Sequence, residues 1–141
     1  MKWLYLTLVF FTPFITAKGQ NKKSFNRAKN NVIITDLRSL DRSPEFPGGD
    51  EAFYKFLSKN LRWPVRGDID IEGRVVISFI VEKDGSLTNF KVEKKLWPDM
   101  DAEALRVLKK SPKWIPGKQH GKLVRVKYMV PINFTLSDSS E

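Results

Sequence analysis

From Leu123 to Leu136 the chain alternates strictly. Val124, Val126, Tyr128, Val130, Ile132, Phe134 and Leu136 share one side; Arg125, Lys127, Met129, Asn133 and Thr135 share the other, with Pro131 among them. Successive side chains of a strand point to opposite faces, so this pattern predicts a β-strand with one packed and one wet face. Pro131 narrows the choice further. A proline has no N–H for a ladder bond, so a strand that contains one belongs at a sheet edge, with that position turned outward. A long edge strand carries backbone groups without a neighbour, and another extended chain can pair with them. The feature points to binding, not to catalysis.

Composition supports that direction. The 141 residues hold one domain and some additional length, with ten Phe and four Trp for a modest core. Cysteine is absent and histidine occurs once, which excludes disulfides and thiol chemistry and leaves almost nothing for a transition metal. Neither a metal nor a cofactor is expected. The net charge of +9 favours anionic envelope surfaces or acidic peptide segments for an exported chain, rather than nucleic acid.

Export is itself read from the first residues. Met1-Lys2 is followed by a mostly apolar run from Trp3 to Ala17 and then Lys18-Gly19-Gln20. That run has the length of a signal h-region and falls short of the roughly twenty residues of a membrane span. Ala17 and Gly19 supply small residues at −3 and −1 for cleavage after Gly19. Residues 1–19 are therefore read as a signal peptide, with an uncleaved anchor as the alternative. Residues 20–43 form a polar, basic tether whose apolar patch Val32-Ile33-Ile34 suits a short strand within 31–36. Fully extended, the tether spans at most ~80 Å. Residues 44–137 are the folded domain and 138–141 a tail.

Within the domain, Pro44-Glu45-Phe46-Pro47-Gly48-Gly49 is a stiff turn into a helix over 50–60, with Phe53, Phe56, Leu57 and Leu61 as its apolar stripe. Trp63-Pro64 ends it. Residues 73–95 read as a hairpin: Val75, Ile77, Phe79 and Val81 alternate, Asp84-Gly85 turns, and Phe90 and Val92 continue the buried face. A second helix starts near Asp99 or Asp101 and runs to Ser111, with Ala104, Leu105 and Leu108 inward. The order is α-β-β-α-β. Two helices on one face of a three-stranded antiparallel sheet, an α+β two-layer sandwich, bury every apolar stripe at once.

Motifs that invite chemistry do not hold up. Asp68, Asp70 and Glu72 resemble the start of a calcium loop, but the twelfth position, which needs a bidentate Glu, is Phe79. His120 has no partner ligand or nucleophile in its Gly117–Lys122 turn, and that turn lacks the spacing and the following helix of a phosphate loop. Asp99 and Asp101 suit a helix N-terminus without acid–base work. Lys127-Tyr128 cannot form one stacking surface for single strands, because the two side chains point to opposite faces. No enzymatic activity is expected. Trp63, Trp97 and Trp114 stand at element ends and suit core caps, with Trp63-Pro64 framing a groove beside the edge strand as the alternative.

Several of these motifs, in this order, resemble a known family. Pro44–Gly49, Phe56-Leu57, Asn60-Leu61, Trp63-Pro64, Glu72-Gly73-Arg74-Val75, Asp84-Gly85, Asp101–Leu105 and Trp114-Ile115-Pro116-Gly117-Lys118 with the last strand are similar to the C-terminal domain of TonB-family proteins, over about 44–136. The Pro-Gly-Gly opening resembles a small single-domain sub-type. The resemblance implies a periplasmic domain that docks an extended segment of an outer-membrane TonB-dependent transporter, or another envelope protein, by strand addition. The family's Tyr-Pro pair near the docking site corresponds to Trp63-Pro64, without the hydroxyl. The partner-binding residues that follow are Trp63, Pro64, Arg125, Lys127, Met129, Pro131 and Asn133. The alternative is an inner-membrane-anchored transducer that passes proton-motive force to such transporters. Against it stand the tether's length and its lack of proline between Gln20 and Ser43. A homodimer through the edge strand is a further partner arrangement.

Overall fold

The computed structural model describes residues 32–64 and 71–135. The signal or anchor at 1–19, the tether as far as residue 31, Asp68 and Asp70, Leu136 and the 138–141 tail lie outside these residues.

The elements follow the periodicity closely. They are β1 (Ile33–Ile34), a 3-10 turn (Leu37–Ser39), α1 (Gly49–Asn60), β2 (Gly73–Val81), β3 (Leu87–Lys94), α2 (Pro98–Lys109), the two-residue strands β4 (Lys118–Gln119) and β5 (Lys122–Leu123), and β6 (Arg125–Phe134). Asp50 and Glu51 occupy the first turn of α1, where negative charge is favourable against the exposed N–H groups. In α2, Trp97 is the extended N-cap and Pro98 follows it inside the helix, the position where a missing N–H costs nothing.

One layer is the sheet, in the order β1-β6-β2-β3. β2 is central and antiparallel to both neighbours, in register from Gly73 opposite Phe134 to Val81 opposite Val126 on the β6 side. The three-stranded antiparallel sheet of the sequence reading thus gains a fourth strand. β1 pairs parallel with β6, Ile33 beside Arg125 and Ile34 beside Val126. The last strand is also shorter than the alternation allows. Lys122 and Leu123 turn back on Lys118 and Gln119, and the Val124 amide donates to the Gly117 carbonyl at 3.0 Å, so β6 proper starts at Arg125.

The core lies between this sheet and the two helices. Val75, Ile77, Phe79 and Val81 of β2 are buried, as are Val130, Ile132 and Phe134 of β6, Phe53 and Leu57 of α1, and Met100, Ala104, Val107 and Leu108 of α2. The α2 stripe differs from expectation at one position: Leu105 is only half-buried, and Val107 takes the inward place. The helix is rotated so that 100, 104, 107 and 108 share a face, which satisfies helical spacing equally well.

Trp114 is a hub, not a cap. Its ring centroid lies 5.3 Å from Phe79, 5.5 Å from Phe53, 5.6 Å from Tyr128 and 5.9 Å from Phe46, all in edge-on arrangements. Its indole N–H donates to Ser111 Oγ at 2.9 Å and its backbone N–H to the Gly85 carbonyl at 2.8 Å. Trp63 packs edge-on against Phe134 at 5.7 Å, while Trp97 is 43% exposed.

Candidate functional site

The outer side of β6 is covered by a strand only at its first two residues. β1 pairs with Arg125 and Val126, and among the described residues no strand lies beside Lys127 to Phe134 on that side. β6 is therefore not the outermost strand throughout, as the proline alone suggested, but most of its length is open. Pro131 falls in this open stretch, where a residue without an N–H is tolerated.

A groove runs between the open stretch and α1. It consists of two cavities that share Tyr54 and Pro131. The first, about 200 Å³, is lined by Met129 and Val130 on the strand side, by Phe53 and Trp114 on its floor, and by Glu45 and Asp50. The second, about 460 Å³, lies between Leu57, Leu61 and Trp63 on one side and Ile132 and Asn133 on the other. Tyr54, 62% exposed, and Met129, 57% exposed, stand over this groove as large uncovered side chains.

The seven residues singled out from the sequence divide into two sets. Met129, Pro131, Asn133 and Trp63 line the groove. Pro64 is half-buried beside Trp63 and lines neither cavity. Arg125 and Lys127 are engaged elsewhere. Arg125 makes a two-pronged ion pair with Glu82, Nε to Oε2 at 2.6 Å and Nη2 to Oε1 at 2.9 Å, next to the β1 pairing. Thr88 donates its hydroxyl to the same carboxylate at 2.6 Å. These bonds, the one from Arg125 foremost, hold the Glu82 carboxyl below its ordinary range against the opposing effect of burial. Lys127 Nζ lies 3.3 Å from Glu93, which also accepts from the buried Ser78 hydroxyl at 2.7 Å. Both cations thus meet carboxylates within the chain.

Tyr54, Glu45 and Asp50 were not picked out from the sequence as groove residues. A signal existed for Tyr54, a large aromatic that falls off the apolar stripe of α1 with no buried role to fill. For the two acids there was none, because helix-start charge accounted for Asp50 and the turn accounted for Glu45. The Tyr128 hydroxyl registers both of them: burial first, then the negative charges of Asp50 and Glu45, push its pKa upward. No group of three or more metal-ligating side chains occurs among the described residues, and none of the described helices is long and apolar enough to cross a membrane.

Comparison with known proteins bears on this geometry directly. Residues 68–136 match the family described as Gram-negative bacterial TonB protein C-terminal. Among solved structures, the solution structure of the TonB C-terminal domain of Helicobacter pylori (residues 194–285) is similar, with 28% identity and a TM-score of 0.50, over 63% of this chain and 95% of that one. No curated protein matches the chain. Fold and sequence motifs agree: residues 68–136 belong to the TonB C-terminal family, periplasmic protein-interaction domains in the energy coupling of transport.

Proposed function

We propose that the open edge of β6, from Lys127 to Phe134, takes up an extended segment of an outer-membrane TonB-dependent transporter by strand addition. The observation that carries this reading is an uncovered strand edge running beside a groove, within a domain of the TonB C-terminal family. Backbone pairing along the edge supplies affinity, and pockets for alternate side chains supply selectivity. Met129, Pro131, Asn133 and Trp63 form the binding surface and Pro64 supports Trp63. Arg125 and Lys127 flank the start of the open stretch, where β1 limits how far an added strand can extend. The domain acts as a binding module without catalysis.

A titration of the ¹⁵N-labelled chain with peptides from transporter N-termini tests this. Amides of residues 127–134 are expected to shift on addition of peptide. Shifts confined to other parts of the domain would refute docking at this edge. Light scattering over a range of concentrations separates docking from pairing of two copies through the same strand. Mass spectrometry of the mature N-terminus decides between a released periplasmic module and an anchored transducer, because a chain cleaved after Gly19 has no anchor.

A further inference from the structure

The first cavity of the groove is a built pocket, and its chemistry is not neutral. At about 200 Å³ it is smaller than the roughly 300–1,000 Å³ of small-molecule sites, and it matches the scale of one side chain. Its floor is aromatic, from Phe53, Trp114 and Tyr128, and Met129 and Val130 of the open stretch of β6 line its strand side. Two carboxylates, Glu45 and Asp50, complete it.

The backbone places these acids firmly. Glu45 exchanges two hydrogen bonds with Ile115, its N–H donating at 3.0 Å and its carbonyl accepting at 2.8 Å. Gly48 and Gly49 follow with φ of 89° and 83°, left-handed values that favour glycine. They turn the chain into α1 so that the Glu45 carboxylate comes to rest over Gly49, where a Cβ would lie only 3.1 Å from Oε1. Asp50 is the next residue, in the first helical turn. Neither acid has an ion-pair partner among the described residues. The cations of β6 itself, Arg125 and Lys127, are paired with Glu82 and Glu93. An aromatic-floored pocket rimmed by two unpaired carboxylates complements a cationic side chain, whose aliphatic stem packs on the rings while its head meets the acids.

Resting on the docking reading above, we propose that the Pro44–Gly49 turn and the start of α1 build a selectivity pocket for a Lys or Arg side chain of the incoming segment. The second, more apolar cavity is displaced along β6 from Met129 toward Asn133, roughly 13 Å for four residues at the rise of a strand. The preferred segment therefore presents a basic residue and, about four positions away on the same face, an apolar one.

The test uses the full-length chain and three synthetic ten-residue peptides of alternating Thr and Val, identical except for Lys, Ala or Glu at one inward position. The Lys peptide is expected to bind about tenfold more tightly than the Glu peptide, as suits a rim charge pair, and to shift amides of residues 49–54 as well as 127–134. The preference should shrink at high salt and vanish in Glu45→Gln/Asp50→Asn. Equal binding of the three peptides, or tighter binding of the Glu peptide, overturns the pocket's charge preference and leaves docking at the edge intact. If none of the three shifts residues 127–134 while a transporter peptide does, the pocket proposal falls alone. If no peptide of either kind does, the docking reading falls and the pocket with it.

Discussion

Gly85 shows how much a single backbone position carries. It adopts φ of 86° in the turn between β2 and β3 and accepts the Trp114 N–H at 2.8 Å through its carbonyl. A Cβ there would lie 2.0 Å from the Trp114 carbonyl oxygen, and backbone cannot yield as a flexible side chain can. Gly85→Ala therefore combines a strained φ with a forced separation of the hairpin from the aromatic hub. We expect a loss of about 2–4 kcal/mol, measured by urea denaturation with the slope unchanged. The Asp84-Gly85 pair was legible in the sequence as a turn. That the turn also abuts Trp114 was not, because the two are far apart in sequence and no local pattern records such a contact.

At the scale of elements, the two helices are tied by charge as well as by the core. Glu103 of α2 accepts from the Arg62 amide at 2.7 Å just past α1 and pairs with Arg106, whose guanidinium also donates to the Asn60 carbonyl at 2.7 Å. The Glu103 side chain is only 12% exposed, so its bonds are partly shielded from water. Replacing it with Ala leaves the Arg62 amide without its acceptor and Arg106 with the Asn60 carbonyl alone. We expect Glu103→Ala to cost about 1–2 kcal/mol, read as a lowered thermal midpoint, with faster amide exchange at the C-terminal end of α1. The helices were legible from their stripes and charged ends. The rotation that buries Val107 in place of Leu105 was not, since helical spacing allows either and packing against β2 decides. β1 is a similar case: its apolar patch marks a short strand, but two residues cannot say which strand they join.

The molecule as a whole should be acid-sensitive. The carboxyls of Glu82 and Glu103 both lie below their ordinary 4.5, held down first by hydrogen bonds from Arg125 and Arg106 respectively. A carboxyl with a depressed folded pKa binds its proton more readily in the unfolded chain. Its contribution is thus fully present above 4.5 and is lost as pH falls through the lower folded values. Tyr128 acts at the other limit: its raised pKa means that stability drops once pH climbs past 10.0. Denaturation midpoints measured from neutrality downward should stay level to about 5 and then decline. An acid limb unchanged in Arg125→Met would refute the role given to the Glu82 pair.

By itself the sequence determined the two helices, the β2–β3 hairpin and the last strand, their order and the core faces of the strands, because alternation and helical spacing are local consequences of backbone geometry. Through Pro131 it also determined that the last strand should have an open side. Only the tertiary structure decided how much of that side is open, since β1 must close on it from the far end of the domain. It alone decided that Arg125 and Lys127 face carboxylates, and that Glu45 and Asp50 meet an aromatic floor beside the edge. Those outcomes depend on contacts between residues distant in sequence, which periodicity cannot encode.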